Sequence, residues 1–193
     1  MNRCRPLQVL GLCGASVLFF LAVPIQPVAA DDIAAAFDVS NPAKNLARMN
    51  CGATIGVVGA DGRVVSPSTT ESNSNVTALI LDDDTLSYPL QEGETTFLLT
   101  FPRVSLLDRF TFVNENAAAE GEMKIFVSNS RLNAESSKWV EVNGSTPFTG
   151  KRLVNQSLLG VEARYVKLSF RVAKAGRIAG LGLYGGQDRK SVV

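Results

Sequence analysis

The sequence predicts an all-β protein, a single β-sandwich domain, on three observations. The stretch from Val161 to Gly185 reads as two buried strands joined by a turn. In Tyr165 to Arg171, Val166, Leu168 and Phe170 fall on one face and Tyr165, Lys167, Ser169 and Arg171 on the other, the two-residue period of a half-buried strand. Further strand-like segments recur at short spacing, separated by Gly, Pro, Asn and Ser turns. No long amphipathic helix interrupts them, and many short strands with few helices indicate a sandwich.

From its start, the chain opens with a basic end (Arg3, Arg5), an almost wholly apolar run from Val9 to Val23, breaks at Pro24 and Pro27, and a small-residue cleavage site at Val28-Ala29-Ala30. Residues 1–30 are therefore expected to be a cleaved signal peptide. The apolar run is a little short of the ~20 residues a membrane helix needs. No membrane span is expected after cleavage, and the expected location is secreted, periplasmic or extracellular. The whole chain has 19 basic and 18 acidic residues, and loss of Arg3 and Arg5 leaves 17 against 18. That balance does not favour nucleic acid as a partner. Cys4 and Cys13 leave with the same segment, so Cys51 cannot form an internal disulfide and is expected either to pack inside or to pair with another molecule.

Residues 31–44 form a leader, with room for a short helical turn at Ile33 to Phe37. The domain is placed at 45–186 and a short tail at 187–193. Gly59, Asp61-Gly62 and Pro67 read as turns, and the polar stretch from Ser66 to Thr77 as a surface loop. Strands are expected at Thr95 to Phe101 and, after Pro102, at Phe110 to Val113. Two more are expected where Met123, Ile125 and Val127 alternate with Lys124, Phe126 and Ser128, and at Trp139 to Val142. In Ile178 to Tyr184, Ala179, Leu181 and Leu183 share a face, while Gly180 and Gly182 leave room for a bend or a close backbone.

Ala163-Arg164-Tyr165-Val166-Lys167-Leu168, Gly176-Arg177-Ile178-Ala179 and Leu183-Tyr184-Gly185 together resemble the end of the discoidin (coagulation factor 5/8 type C) family of the galactose-binding-like superfamily. Asn45-Leu46-Ala47-Arg48 followed by Gly52-Ala53-Thr54 resembles its opening, Leu79 to Tyr88 its early acidic segment, and Met123 to Ser128 with Trp139 to Val142 its central strand pair. The resemblance implies a jelly-roll β-sandwich with adjacent termini. It also implies a structural role for Arg164, paired with buried carbonyls or an acid.

The chain contains no His. That removes the usual general base near neutral pH, His-dependent nucleophilic triads and the commonest transition-metal ligand. The acids are scattered, no spacing singles out a catalytic pair, and the chain is expected not to be an enzyme. Asp82-Asp83-Asp84, with Thr85 and Ser87, offers the oxygens that Ca²⁺ prefers. The resembled family often binds a structural Ca²⁺ near this segment, which makes Asp82 and Asp84 the metal candidates. Where that family commonly has a last-strand Glu, this chain has Gly180, and a solvated acidic turn is the other reading.

Sugar-binding members of that family use loops at one end of the sandwich. The matching positions here are Tyr88 and Asn114-Glu115-Asn116, with Arg131 as a further candidate. Amides and carboxylates pair with hydroxyls, but the Arg and His common in such sites are missing from these loops. Core packing for Tyr88 and an ordinary turn for Asn114 to Asn116 are the competing readings. Trp139 is read as core before sugar platform. The expected function is that of a non-catalytic module recognising carbohydrate, a cell-surface glycan or matrix polymer, through that loop end. The alternative is an adhesion domain binding an extracellular protein on the same fold.

Overall fold

The described residues form eight strands: β1 (Thr54–Val58), β2 (Val64–Val65), β3 (Ser87–Leu90), β4 (Gly93–Asn114), β5 (Glu120–Ser128), β6 (Val140–Pro147), β7 (Leu153–Lys174) and β8 (Gly176–Tyr184). The computed structural model describes residues 44–59, 62–65, 75–83 and 85–185. These belong to the unit Pro42–Val193. The expected signal peptide, most of the leader, residues 66–74 of the expected loop, Asp84 and the expected tail lie outside the described residues. No helix among the described residues is long and apolar enough to cross a membrane.

The 22-residue strands β4 and β7 run antiparallel and serve both layers of a sandwich. In the first layer, Gly93 to Thr100 of β4 pairs with Tyr165 to Val172 of β7, flanked by β1 on one side and by β5 and then β6 on the other. In the second, Ser105 to Val113 of β4 pairs with Leu153 to Ala163 of β7, and β8 followed by β3 lies on the other side of β4. The register breaks between Thr100 and Ser105 and again between Leu107 and Arg109. Pro102, which has no N–H to give the ladder, sits in the first break, as strand prolines do. The segments expected as two strands are therefore one strand bent at Pro102. The turn after Lys174 is likewise a crossing between layers, because β8 pairs with β3 and β4.

The period-two reading of β7 holds: Val166, Leu168, Phe170 and Val172 are buried, with Tyr165, Lys167, Ser169 and Arg171 between them on the outer face. Met123, Ile125 and Val127 alternate in the same way on β5. β8 is more buried than expected, since Ile178 is also fully enclosed. The two layers meet through aromatic rings. Phe170 in the first layer has its ring centroid 5.6 Å from Phe97, 5.5 Å from Phe112 of the second layer and 5.9 Å from Phe148.

The described ends lie side by side. The Asn45 Oδ1 accepts from the Leu183 and Ala47 N–H groups, its Nδ2 donates to the Leu181 carbonyl, and Asn45 bridges to Tyr184. Trp139 is buried and donates its indole N–H to the Asn133 carbonyl at 2.9 Å. Cys51 is half-buried, its thiol 3.4 Å from the Asn45 carbonyl. Arg164 departs from its expected buried pairing: it is exposed, with its guanidinium over the Tyr165 ring at 5.8 Å.

Candidate functional site

One end of the sandwich gathers the 3-10 turn Glu115–Ala117, the β7–β8 crossing and β3. It forms because β3 and β8, some ninety positions apart, pair with Ser87 opposite Ala179 and Pro89 opposite Arg177. Arg177 is thereby set beside Ser87. Its Nε donates to the Ser87 Oγ at 2.7 Å, one terminal nitrogen donates to the Ser87 carbonyl at 2.9 Å, and the Glu115 Oε2 lies 3.7 Å from Nε. Arg177 keeps 46% of its side chain exposed and Glu115 33%. Asn116 is exposed beside them, with its backbone left-handed at φ 54°.

The other sequence candidates fare differently. Asn114 is fully buried, and its amide is spent inside the chain. Its Nδ2 donates to the Ala119 carbonyl at 2.8 Å and its Oδ1 accepts from the Ala119 N–H at 3.1 Å. It braces the turn and offers no group to a ligand. Asn114→Ala would orphan both buried groups of Ala119 and is expected to cost about 1–3 kcal/mol, read by urea unfolding. A change within error would mean that water replaces the amide.

Tyr88 stands opposite Ile178, so it leaves the β3–β8 ribbon on the face opposite Arg177. Its ring meets Phe97 edge-on at 5.3 Å and is half-buried, which raises the phenol pKa by desolvation. It is therefore an edge-of-core residue and not an open platform. Arg131 is exposed in the connection that follows Ser128. Ser128 pairs with Tyr165 whereas Glu120 pairs with Lys174, so Arg131 departs from the far end of β5 and does not join the group.

The residue that sequence reading missed is Arg177. Only the Gly176-Arg177-Ile178 motif marked it, and its partner Ser87 comes from pairing across the whole domain.

The acidic segment has partners of its own. Arg48 donates through a terminal nitrogen to the Leu81 carbonyl, and its Nε lies 3.5 Å from the Asp82 carboxylate. A guanidinium thus occupies the carbonyl and carboxylate that the resemblance would offer to a cation. Asp83 accepts from the Thr85 hydroxyl at 2.6 Å and the Thr85 N–H at 2.9 Å. Among the described residues no three His, Cys, Asp or Glu side chains converge as a metal set, and Gly180 supplies no carboxylate. Asp84, the other metal candidate, lies outside the described residues.

The hydroxyl bond from Thr85, followed by the N–H bond, holds the Asp83 carboxyl below the ordinary value. A depressed folded-state pKa contributes stability that is present above the unfolded-state pKa of about 3.9 and lost as pH falls through the folded value. Thr85→Val should move the Asp83 titration, followed by carboxyl-carbon NMR, back up toward the ordinary range. An unmoved midpoint would show that the N–H bond alone sets it.

No protein-family model matches the sequence, and no curated protein sequence matches it. Solved structures do match. A GH29 fucosidase from Ruminococcus gnavus, solved with fucose, aligns with a TM-score of 0.58 at 16% identity over 75% of this chain and 27% of that one. The chain spans about a quarter of the length of that fucosidase and of one from Bacteroides thetaiotaomicron. A chitosan-binding module of a Paenibacillus chitosanase/glucanase aligns at 0.53 and 20% identity over 75% of this chain and 100% of the module. The family 32 carbohydrate-binding module of Streptococcus pneumoniae EndoD aligns at 0.54 and 12% identity over 74% of this chain and 100% of the module. At these identities the likeness shows the fold alone, an antiparallel β-sandwich of the kind such modules have.

Proposed function

We propose that this chain is a secreted, non-catalytic carbohydrate-binding module that recognises glycan hydroxyls at the end formed by Arg177, Ser87, Glu115 and Asn116. The observation that carries this reading is the pinning of Arg177. A guanidinium fixed along one edge by Ser87 and Glu115 presents its remaining N–H groups in one direction, so little side-chain entropy is lost on binding. Beside it, a carboxylate and an amide supply the acceptors that vicinal hydroxyls need. The fold supports the reading, because modules of the same architecture bind sugars; one Clostridium perfringens example with a TM-score of 0.52 was solved with GalNAc-β-1,3-galactose. The signal-like residues 1–30 support secretion.

A shallow single site of this kind binds weakly, with a millimolar Kd equivalent to about −4 kcal/mol. Attachment then depends on repeated ligands or copies. Calorimetric titration against neutral and acidic oligosaccharides, with Ca²⁺ and after chelation, is the direct test. A saturable heat that is indifferent to chelation is expected, and silence across the panel would turn attention to an extracellular protein partner.

A further inference from the structure

We infer that the outer face of the first layer carries a second binding site, for a neutral oligosaccharide, separate from the Arg177 end. A cleft of about 450 Å³ opens there, lined by Glu94, Glu122, Lys124, Ser145, Ser169 and Arg171. Its volume falls within the about 300–1,000 Å³ of small-ligand sites. The register builds it. Glu94 stands opposite Arg171 and Arg171 opposite Glu122, one row across β4, β7 and β5, and Ser169 opposite Lys124 forms the next row. Between Met123 and Ile125 the pairing with β6 slips, and Asn143 and Gly144 turn left-handed there. A bulge of this kind re-aims side chains, and here it leaves Ser145 over the row, donating to the Glu122 carboxylate at 2.7 Å.

The chemistry of the lining selects the ligand class. Two carboxylates balance one guanidinium and one ammonium, so the cleft has no net charge with which to draw an ion. Arg171 lies between the carboxylates, with nitrogens 3.5 Å from Glu94 and 3.7 Å from Glu122. The hydrogen bond to Glu94 and the ion pair with Glu122 are both longer than the about 2.7–2.9 Å of a strong charge-assisted bond, and a guanidinium with five N–H donors and a carboxylate with several lone pairs have positions left for a ligand. Acceptor, donor and acceptor alternate across the three strands, with 3.5 and 3.7 Å between the charged atoms. A chain of hydroxyls, each able to donate to a carboxylate and accept from a guanidinium, complements that row.

The same groups do not make a hydrolase. Glu94 and Glu122 are 73% and 44% exposed on an open strand face, each against Arg171, and neither sits in the enclosed, apolar surroundings that the acid of a glycoside hydrolase needs.

Residue-resolved NMR of the full chain, titrated to about 10 mM with the β-1,4-linked tetrasaccharides of glucose, mannose, xylose and N-acetylglucosamine, tests the inference. Saturable shifts at Lys124, Ser145 and Ser169 with at least one sugar are expected. Glu122→Gln and Ser169→Ala, both on the open face, should each weaken those shifts about tenfold in Kd. Shifts confined to Ser87, Asn116 and Arg177 would overturn the second site and leave the first standing. Shifts confined to the cleft would do the reverse, and cleft shifts that persist unchanged in both variants would also overturn it. Silence at both places with all the sugars would overturn this inference.

Discussion

Phe170→Ala should cost about 3–5 kcal/mol, the range for a fully buried Phe truncated in a core that cannot collapse around the gap. Phe170 has no exposed surface and touches Phe97 in its own layer, Phe112 in the opposite layer, and Phe148. Three edge-on contacts are lost together, each worth about 0.5–1.5 kcal/mol beyond area burial. Because β4 and β7 pair with each other in both layers, the layers have little freedom to close on the cavity. Domains of this size are stable by about 5–15 kcal/mol, so one truncation removes a large share of the total. Urea unfolding of Phe170→Ala beside Phe170→Leu would measure it, with the Leu variant retaining much of the stability. A loss below about 1 kcal/mol in the Ala variant would mean that Phe170 does not tie the layers together.

Gly121→Ala is expected to be comparably severe for a different reason. The backbone there has φ of 154°, and an added Cβ would sit 2.2 Å from the Arg171 carbonyl oxygen and 2.9 Å from the Phe148 ring. The first obstacle is backbone of the neighbouring strand, which cannot swing aside as a flexible side chain can. The positive φ costs about 1–3 kcal/mol for a residue with a Cβ, and overpacking adds about 1–3 kcal/mol more. At this point the β5–β7 register shifts, between Glu120 and Gly121. The variant should express poorly or melt many degrees lower, and a wild-type melting curve would show that the bulge can reshape at no cost.

What the sequence revealed and what it hid follow from the range of the interactions. The alternation of Val166, Leu168 and Phe170 with Lys167 and Ser169 is local, so the face of β7 was readable without its partners. The first half of β7, from Leu153, was not read as a strand, because Leu153, Asn155 and Gln156 break the apolar period. The continuity of β4 through Pro102 was hidden for a similar reason, since a proline ends most strands and only the long pairing with β7 carries this one on. For Asn114 the sequence leaves both a ligand-facing amide and an ordinary turn open, and the structure decides for the turn, because where the Ala119 backbone comes to lie settles whether the amide faces a ligand or its own loop. Arg177 could be quoted as part of a motif, but its role depends on Ser87, ninety positions away and brought close by the β3–β8 pairing.

The Arg177 end is tested most directly by calorimetric titration of the wild type and Arg177→Ala with whichever oligosaccharide gives the strongest heat, alongside their melting curves. Truncation removes an exposed side chain and its bonds to Ser87, so melting should move by no more than a few degrees. Affinity should fall at least about tenfold, equivalent to about 1.4 kcal/mol. Undiminished binding by Arg177→Ala would contradict the account and take glycan recognition away from this end of the sandwich.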